Sequence, residues 1–238
     1  MSDGASKSTA RAGFRGFARE NSLSLFFLVI FIAALVGQAV AGHNLFNQEQ
    51  LQHGEPTISL WRYLGSSHFG QAVTENWQSE YLQFALFAVA TVWLVQKGSS
   101  ESKELDKAGT ESDRDQKVGA HAEAGSPRWA KTGGLRTTLY SNSLVIVMGL
   151  VFLASWFAQS VNGWSVFNDE QSTHGDSPIS WWSYVGSSDF WEATFQNWQS
   201  EFLAVGSFAV LVIYLRQRGS PESKPVGAST RDSTGEEG

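Results

Sequence analysis

Two long apolar stretches without charge constrain this chain more than any other feature. Residues 23–41 and 144–161 contain no Asp, Glu, Lys or Arg, and each is about as long as a helix that crosses the hydrocarbon core of a bilayer. The remaining sequence has too little apolar surface to cover two helices that are hydrophobic on all sides. We therefore predict that both stretches are transmembrane helices.

The two stretches belong to two copies of one sequence. A shift of 121 positions aligns residues 20–103 with residues 141–224 without a gap, and 39 of the 84 aligned positions are identical. Self-similarity of this extent predicts an internal duplication, so each copy is expected to fold as one structural unit.

Each copy contains a second apolar stretch that is too short to span a bilayer alone. As helices, residues 81–95 and 202–215 would reach only about 22 Å, whereas the hydrocarbon core is about 30 Å thick. The pentapeptide N-W-Q-S-E precedes both stretches, at residues 76–80 and 197–201. A helix counted from Trp77 to Lys97, or from Trp198 to Arg218, has the required length, with tryptophan at one interface and a basic residue at the other. We therefore expect an all-α integral membrane protein with four transmembrane helices in two hairpins.

The basic residues predict the orientation of these hairpins. Of the 17 Lys and Arg residues, 16 lie within 1–20, 96–138 or 216–238, and the exception is Arg62. The positive-inside rule places both termini and the central linker in the cytoplasm, so the loops 42–76 and 163–197 face outward. Both hairpins then start on the same side and are parallel repeats, with a pseudo-twofold axis along the membrane normal. The predicted location is the cell (inner) membrane, with a multi-pass topology.

Polar segments divide the chain. The linker and the C-terminal tail are rich in Ser, Gly, Glu, Asp and Lys, which predicts disorder. The predicted organisation is a disordered cytoplasmic tail at 1–19, a first two-span repeat at 20–103, a disordered cytoplasmic linker at 104–138, a second two-span repeat at 139–224 and a disordered tail at 225–238. Ala39-Val40-Ala41 resembles a signal-peptide cleavage site, so removal of the first helix is an open alternative.

Composition and motifs argue against several classes of function. The chain has no cysteine, which excludes disulfides and thiolate metal sites. Its net charge of −6 argues against nucleic-acid binding, because a nucleic-acid binder needs a basic face to neutralise phosphates. The sequence also lacks a glycine-rich phosphate loop, a nucleophile elbow and an HExxH motif. We expect no enzymatic activity, no cofactor and no nucleic-acid partner. The expected partner is the lipid bilayer, and a homo-oligomer or a second membrane protein is an open alternative.

Glu49 and His53 in the first outer loop recur as Glu170 and His174 in the second. The spacing of four residues would place a carboxylate and an imidazole one turn apart on a short helix that the following glycine ends. This arrangement fits an ion pair or a structural cap. It also fits two ligands of a metal ion, but a metal would need a further ligand such as Glu80. We predict no metal site and retain these four residues as weak candidates.

Aromatic residues of the outer loops are predicted to lie at the lipid headgroups, where tryptophan and tyrosine are enriched. The residues are Trp61, Tyr63, Trp77, Trp182, Tyr184 and Trp198. Those near 58–67 and 179–188 suit a short amphipathic interfacial helix in each loop. Residues 188–202 carry aromatic side chains at intervals of three and four, which predicts an amphipathic helix on the outer surface that continues into the second span.

Glu80 and Glu201 place a carboxylate just inside the apolar zone of each second span. A carboxylate there is costly unless it is hydrated, paired or protonated, so its presence in both copies suggests a role. Gln38 and Gln159 lie at comparable depth in the preceding spans. We hypothesise that Gln38 bonds Glu80 and that Gln159 bonds Glu201, which would lock each hairpin. The alternative is that both carboxylates reach the headgroup water.

Several motifs resemble one known family. They are E-N-S-L-S-L at 20–25, G-x-x-x-F-N-x-E-Q-x-x-H-G from Gly42, Y-x-G-S-S-x-F from Tyr63, N-W-Q-S-E, and Q-(K/R)-G-S-x-E-S-K from Gln96. Over residues 20–103 and 141–224, the chain resembles small bacterial membrane proteins that carry domain of unknown function 6766. The resemblance implies a membrane location and a two-span unit that also occurs duplicated. It implies no assigned activity and carries over no catalytic residue.

Three functional hypotheses follow. The first is a non-enzymatic structural, assembly or envelope-associated component of the membrane. The second is a small cation channel or transporter that uses Glu80 and Glu201. The third is a metal-dependent membrane enzyme built on Glu49, His53 and their counterparts.

Overall fold

The computed structural model of the chain describes residues 15–231 and residue 233. Within this part of the chain all regular secondary structure is helical, which confirms the predicted all-α class. The helices are α1 (Ser22–Gln52), α2 (Leu60–Leu64), α3 (Ser67–Trp93), α4 (Arg128–Thr132), α5 (Gly134–Ser141), α6 (Ser143–Thr173), α7 (Trp181–Val185) and α8 (Ser188–Tyr214), with 3-10 helices at Leu105–Lys107 and Gly119–His121.

Two of the described helices are long and apolar enough to cross a membrane. Helices α1 and α6 have 31 residues each, and their most apolar windows have mean hydropathies of 2.5 and 2.1. Only 6% of this window is buried inside the protein in α1, and 17% in α6. Helices α3 and α8 do not meet the same test of length and composition. The two second spans, at 77–97 and 198–218, therefore stay predictions.

The carboxyl-terminal ends of α1 and α6 share one hydrogen-bonded capping motif. At the end of α1, the backbone N–H of Glu55 donates to the Gln50 carbonyl at 2.8 Å across Gly54, whose φ is +75°. At the end of α6, Asp176 donates to Gln171 at 2.9 Å across Gly175. This pattern is a Schellman motif, in which glycine supplies the left-handed conformation. The predicted role of glycine holds, but it ends a 31-residue helix and not a short one, because the helix continues past its apolar part.

Helices α3 and α8 each combine two predicted segments. The amphipathic helix predicted before the second span and the outer part of that span form one continuous 27-residue helix in each copy. Ser66 and Ser187 precede these helices, and their hydroxyls accept the backbone N–H of Phe69 and Phe190 at 3.4 Å. A serine at this position satisfies a backbone donor that has no partner within the helix.

The chain divides into two compact units, Met1–Phe69 and Gly70–Gly238. The first unit contains α1, α2 and the first residues of α3, and the second unit contains the rest of α3 and α4 to α8. The predicted domain boundaries stay predictions.

The segment 104–138 is exposed over most of its length, and its predicted disorder stays a prediction. Only Ala130 and Thr137 are buried within it. Ion pairs and hydrogen bonds supply its contacts, such as the 2.8 Å ion pair between Lys103 and Glu111. The predicted tails at 1–19 and 225–238 lie partly outside the described residues.

Candidate functional site

The loops that follow α1 and α6 make the same hydrogen-bonded arrangement with the helix before them, which we call a corner. In the first unit, Asn47 Oδ1 accepts the backbone N–H of Ile58 at 2.8 Å, and Asn47 Nδ2 donates to the Ile58 carbonyl at 3.0 Å. In the second unit, Asn168 makes the same two bonds with Ile179, at 2.8 and 3.1 Å. In each unit, one asparagine side chain thus satisfies the backbone N–H and carbonyl of the isoleucine that precedes the short helix.

A buried tyrosine closes each corner. Tyr63 and Tyr184 are only 5% and 4% exposed, and their hydroxyls lie so close to Gly42 and Gly163 that a Cβ atom at either glycine would overlap the hydroxyl. This close approach explains why both copies have glycine there. Burial, followed by the nearby negative charge of Glu75, raises the pKa of Tyr184 to about 12. The phenol therefore stays neutral over the physiological range.

The aromatic residues predicted at the lipid interface fall into different environments. Trp61 and Trp182 are 82% and 77% exposed, and Trp77 is also exposed. Tyr63 and Tyr184 lie inside the protein corners. The predicted position of these residues at the lipid headgroups stays a prediction.

His53 and His174 cap the carboxyl ends of α1 and α6. Nδ1 of His53 donates to the backbone carbonyl of Glu49 at 2.9 Å, and Nδ1 of His174 donates to the carbonyl of Glu170 at 2.8 Å. The imidazoles therefore contact helix-end carbonyls, which have no partner within the helix. In the described part of the chain, no group of three or more His, Asp and Glu side chains is placed to hold a metal ion.

The two N-W-Q-S-E pentapeptides contact each other in the second unit. Trp198, from the second pentapeptide, donates its indole N–H to Oε1 of Gln78, from the first, at 2.8 Å. Gln78 is fully buried. The Trp198 ring also contacts Phe152 and Trp156 of α6, with centroid distances of 6.4 and 6.3 Å. One tryptophan thus joins α3, α6 and α8.

Trp156 is the centre of an aromatic cluster between α6 and α8. Its ring stacks on Phe152 and Phe190 at centroid distances of 5.7 and 5.9 Å. Its indole N–H lies 3.4 Å from the hydroxyl of the buried Thr194. The counterpart of Trp156 in the first copy is Leu35, so the cluster belongs to the second copy alone. The aromatic stripe at 188–202 therefore contributes contacts to α6 as well as an outer face.

The hypothesised bond between Gln159 and Glu201 is absent. Gln159 is 1% exposed, and neither its Oε1 nor its Nε2 has a hydrogen-bond partner among the described residues. Contacts between the two helices run from Trp156 and Phe190 to Phe152 and Trp198, so α8 passes α6 in the opposite direction. Glu201 follows Trp198 on α8 and therefore lies further from Gln159. The bond between Gln38 and Glu80 stays a prediction.

Glu80 and Glu201 are close enough for their charges to repel each other. Glu80 is exposed, and Glu201 is partly exposed. The structure therefore brings together two carboxylates that occupy the same place in the two copies.

The motifs Q-K-G-S-S-E-S-K and Q-R-G-S-P-E-S-K, at 96–103 and 217–224, fold into matching turns. The backbone N–H of Gln96 donates to the Ser102 hydroxyl at 2.8 Å, and Gln217 donates to Ser223 at 2.9 Å. The lysine that ends each motif donates to a backbone carbonyl further along, at 3.2 Å in the first turn and 3.0 Å in the second. These bonds give two polar segments the same defined conformation.

The two turns also contact each other. The Ser100 hydroxyl donates to the backbone carbonyl of Glu222 at 3.2 Å. Burial raises the pKa of Glu101, and the negative charge of Glu222 raises it further. Glu101 and Glu222 occupy the same place in the two copies, so this is a second pair of corresponding carboxylates in proximity.

Sequence reasoning missed Gln78, Trp156 and Thr194. The sequence contains one signal for them, because Trp156 and Thr194 stand where the first copy has Leu35 and Val73. A tryptophan gained in one copy, together with a new hydroxyl one helix away, indicates a contact that the other copy does not make.

A comparison with known families identifies a match over nearly the whole chain. The model described as "Domain of unknown function (DUF6766)" matches residues 14–236, which include both pentapeptides, both corners and the two turns at 96–103 and 217–224. No curated protein and no solved structure gives a significant match. The chain belongs to the family of proteins with the domain of unknown function DUF6766.

Proposed function

We propose that the protein is a multi-pass integral membrane protein with four spanning helices, in two parallel hairpins whose termini are cytoplasmic. Support comes from the exposed apolar surface of α1 and α6. Large apolar side chains are also exposed on the other two helices, among them Phe84 and Leu86 on α3 and Leu203 and Leu211 on α8. Lipid would cover these surfaces, and the basic residues concentrated in 96–138 and 216–238 set the orientation.

The proposed role is that of a non-enzymatic structural or assembly component of the membrane. The observation that carries this proposal is the contact between the two pentapeptides, because the bond from Trp198 to Gln78 holds helices together. The asparagines of the pentapeptides also bond within their own helices, from Asn76 to the Ala72 carbonyl and from Asn197 to the Ala193 carbonyl, both at 2.8 Å. Residues that the two copies share are thus engaged inside the protein, as in a rigid scaffold.

Crosslinking in native membranes followed by purification in mild detergent tests this role. A scaffold is expected to be recovered with one membrane-protein partner, or with a second copy of itself, in a constant ratio. Recovery of the chain alone at every crosslinker concentration would argue against an assembly role.

The proximity of Glu80 and Glu201 favours a second candidate, a path for cations between the hairpins. Carboxylates within a membrane mark ion pathways in many transport proteins. The two proposals differ in a flux assay with the full chain in liposomes. The structural role predicts cation flux no greater than that of liposomes without protein. Cation flux that the wild-type chain supports and the double variant Glu80→Gln, Glu201→Gln does not would refute the structural role and support the cation path.

A further inference from the structure

We propose that the second unit contains a buried polar site between α3 and α6, and that this site binds a small neutral molecule that both donates and accepts hydrogen bonds. Water is the smallest molecule of this class. The site goes beyond the proposed structural role and does not depend on the number of membrane spans.

One contact between α3 and α6, and one that reaches α6 through α8, mark the ends of the site. At one end Gly70 lies against the side chain of Asn162, where a Cβ atom on Gly70 would come within 2.8 Å of the Asn162 amide. At the other end Gln78 binds Trp198, whose ring packs on Trp156. Between these contacts, α3 advances from residue 70 to 78 while α6 runs back from residue 162 to 156, so the two helices are antiparallel here.

Thr74 and Gln159 lie between these ends, on α3 and α6 respectively. Ser155, one turn from Gln159 on α6, is buried as well. Residues three and four apart share a helix face, so Ser155, Gln159 and Asn162 give this part of α6 a polar face. A polar face at this level of two contacting helices is a place for hydrogen bonding and not for apolar packing.

Thr74 and Asn162 make hydrogen bonds within their own helices, but the two glutamine amides do not. Thr74 Oγ1 donates to the Gly70 carbonyl at 2.7 Å, and Asn162 Nδ2 donates to the Ala158 carbonyl at 2.9 Å. In contrast, the Gln159 Oε1 and Nε2 and the Gln78 Nε2 have no partner among the described residues. Gln159 and Gln78 are 1% and 0% exposed, so bulk solvent does not reach them.

These unpartnered atoms define the chemistry of the occupant. Buried amide groups without partners are rare in folded proteins, and bound water is the usual partner where the protein supplies none. An amide oxygen requires a donor and an amide nitrogen requires an acceptor, so the occupant must do both. The carboxylate of Glu75, next to Thr74 on α3, accepts a hydrogen bond from Gln71 at 2.7 Å. The groups left without a partner are uncharged amides, which favours a neutral molecule over an ion. Since both glutamines are buried, the occupant is enclosed and therefore small.

The substitution Gln159→Met tests the site, because methionine has nearly the shape of glutamine but no hydrogen-bonding group. The sign of the change in unfolding temperature separates two outcomes. If the amide is unpartnered and dry, removing it raises the unfolding temperature of the full chain in detergent. If a bound molecule satisfies the Gln159 amide, the substitution removes the hydrogen bonds between them. We then expect the unfolding temperature to fall by roughly 2–4 °C or more.

Gln78→Met is expected to lower the unfolding temperature as well, and Gln199→Met is the matched control. Gln199 is the counterpart of Gln78 in the second copy and is exposed, so its substitution should change little. An unchanged or higher unfolding temperature for Gln159→Met would overturn the proposal. If addition of glycerol widens the difference between wild type and Gln159→Met, a small solute occupies the site, whereas an unchanged difference identifies water.

A measurement on the wild-type chain keeps the proposal testable if the methionine variants fail to fold. In protein labelled with ¹⁵N-glutamine, transfer of magnetisation from water or glycerol to the buried side-chain amides of Gln78 and Gln159 is expected. Their signals can be assigned with Gln→Asn variants. Absence of any transfer to these amides would overturn the site.

Discussion

Trp198→Phe tests the contact that joins the two pentapeptides. The substitution removes the indole N–H that donates to Gln78 Oε1 at 2.8 Å and keeps an aromatic ring beside Phe152 and Trp156. Gln78 is fully buried, so its amide would then lose its protein donor. Leaving a buried polar group unsatisfied costs about 1–3 kcal/mol.

The expected result is a lower unfolding temperature, measured by circular dichroism at 222 nm in mild detergent. For a chain of this size, that cost corresponds to a decrease of roughly 3–10 °C. The control is Trp61→Phe, because Trp61 is largely exposed and its substitution should change the free energy of unfolding by less than about 0.5 kcal/mol.

The double variant Trp198→Phe, Gln78→Met separates the hydrogen bond from the packing of the tryptophan. Residues in contact show a coupling free energy of about 0.5–3 kcal/mol, so the two effects should not add. Additive effects would refute the contact. A Trp198→Phe variant as stable as the wild type would refute the reasoning about burial.

Three further predictions concern the corner and the two turns at 96–103 and 217–224. Gly163→Ala should cost about 1–3 kcal/mol in unfolding free energy because the new methyl group overlaps the Tyr184 hydroxyl, whereas Gly149→Ala, with open space around it, should not destabilise the chain. In absorbance titrations at 295 nm, the difference between the wild type and Tyr184→Phe should appear only near pH 12, and a difference near pH 10 would contradict the burial of Tyr184. The pKa of Glu101 is raised, so its contribution to stability is present below about pH 4.5 and is lost as the pH rises. Glu101→Gln removes the desolvation cost of the charged carboxyl and then its repulsion from Glu222, so it should raise the unfolding temperature at pH 8 and change nothing at pH 4. Because solvent screens this partly exposed pair, the rise should be at most roughly 2 °C. A shift of the same size at both pH values would show that this carboxyl pair is not responsible.

The sequence predicted the features that depend on local pattern. The apolar content of 23–41 and 144–161 predicted the two helices that are long and apolar enough to cross a membrane. The glycines at 54 and 175 predicted a helix end, although of a separate short helix and not of the long one. The extension of α1 to Gln52 was not predicted, because the apolar stretch ends at residue 41 whereas helical hydrogen bonding continues through the polar residues that follow.

The partners of individual side chains could not be predicted in the same way. Trp198 and Gln78 are 120 residues apart, and periodicity gives the face of a helix but not the helix that it meets. The hypothesis that Gln159 bonds Glu201 used depth in the membrane as its only criterion. In the structure Trp198 contacts Phe152 and Trp156, so Glu201, which follows Trp198 on α8, lies beyond these residues and away from Gln159.

Cysteine labelling in intact cells tests the central claim, the four-span topology, most directly. The natural chain has no cysteine, so single substitutions report without background. Thr57→Cys and Ser177→Cys lie at exposed positions in the two outer loops, and Ala120→Cys lies at an exposed position between the hairpins. With a membrane-impermeant maleimide, the account predicts that both loop cysteines react in intact cells and that the cysteine at position 120 reacts only after permeabilisation. Reaction at position 120 in intact cells, or protection of either loop cysteine, would contradict it.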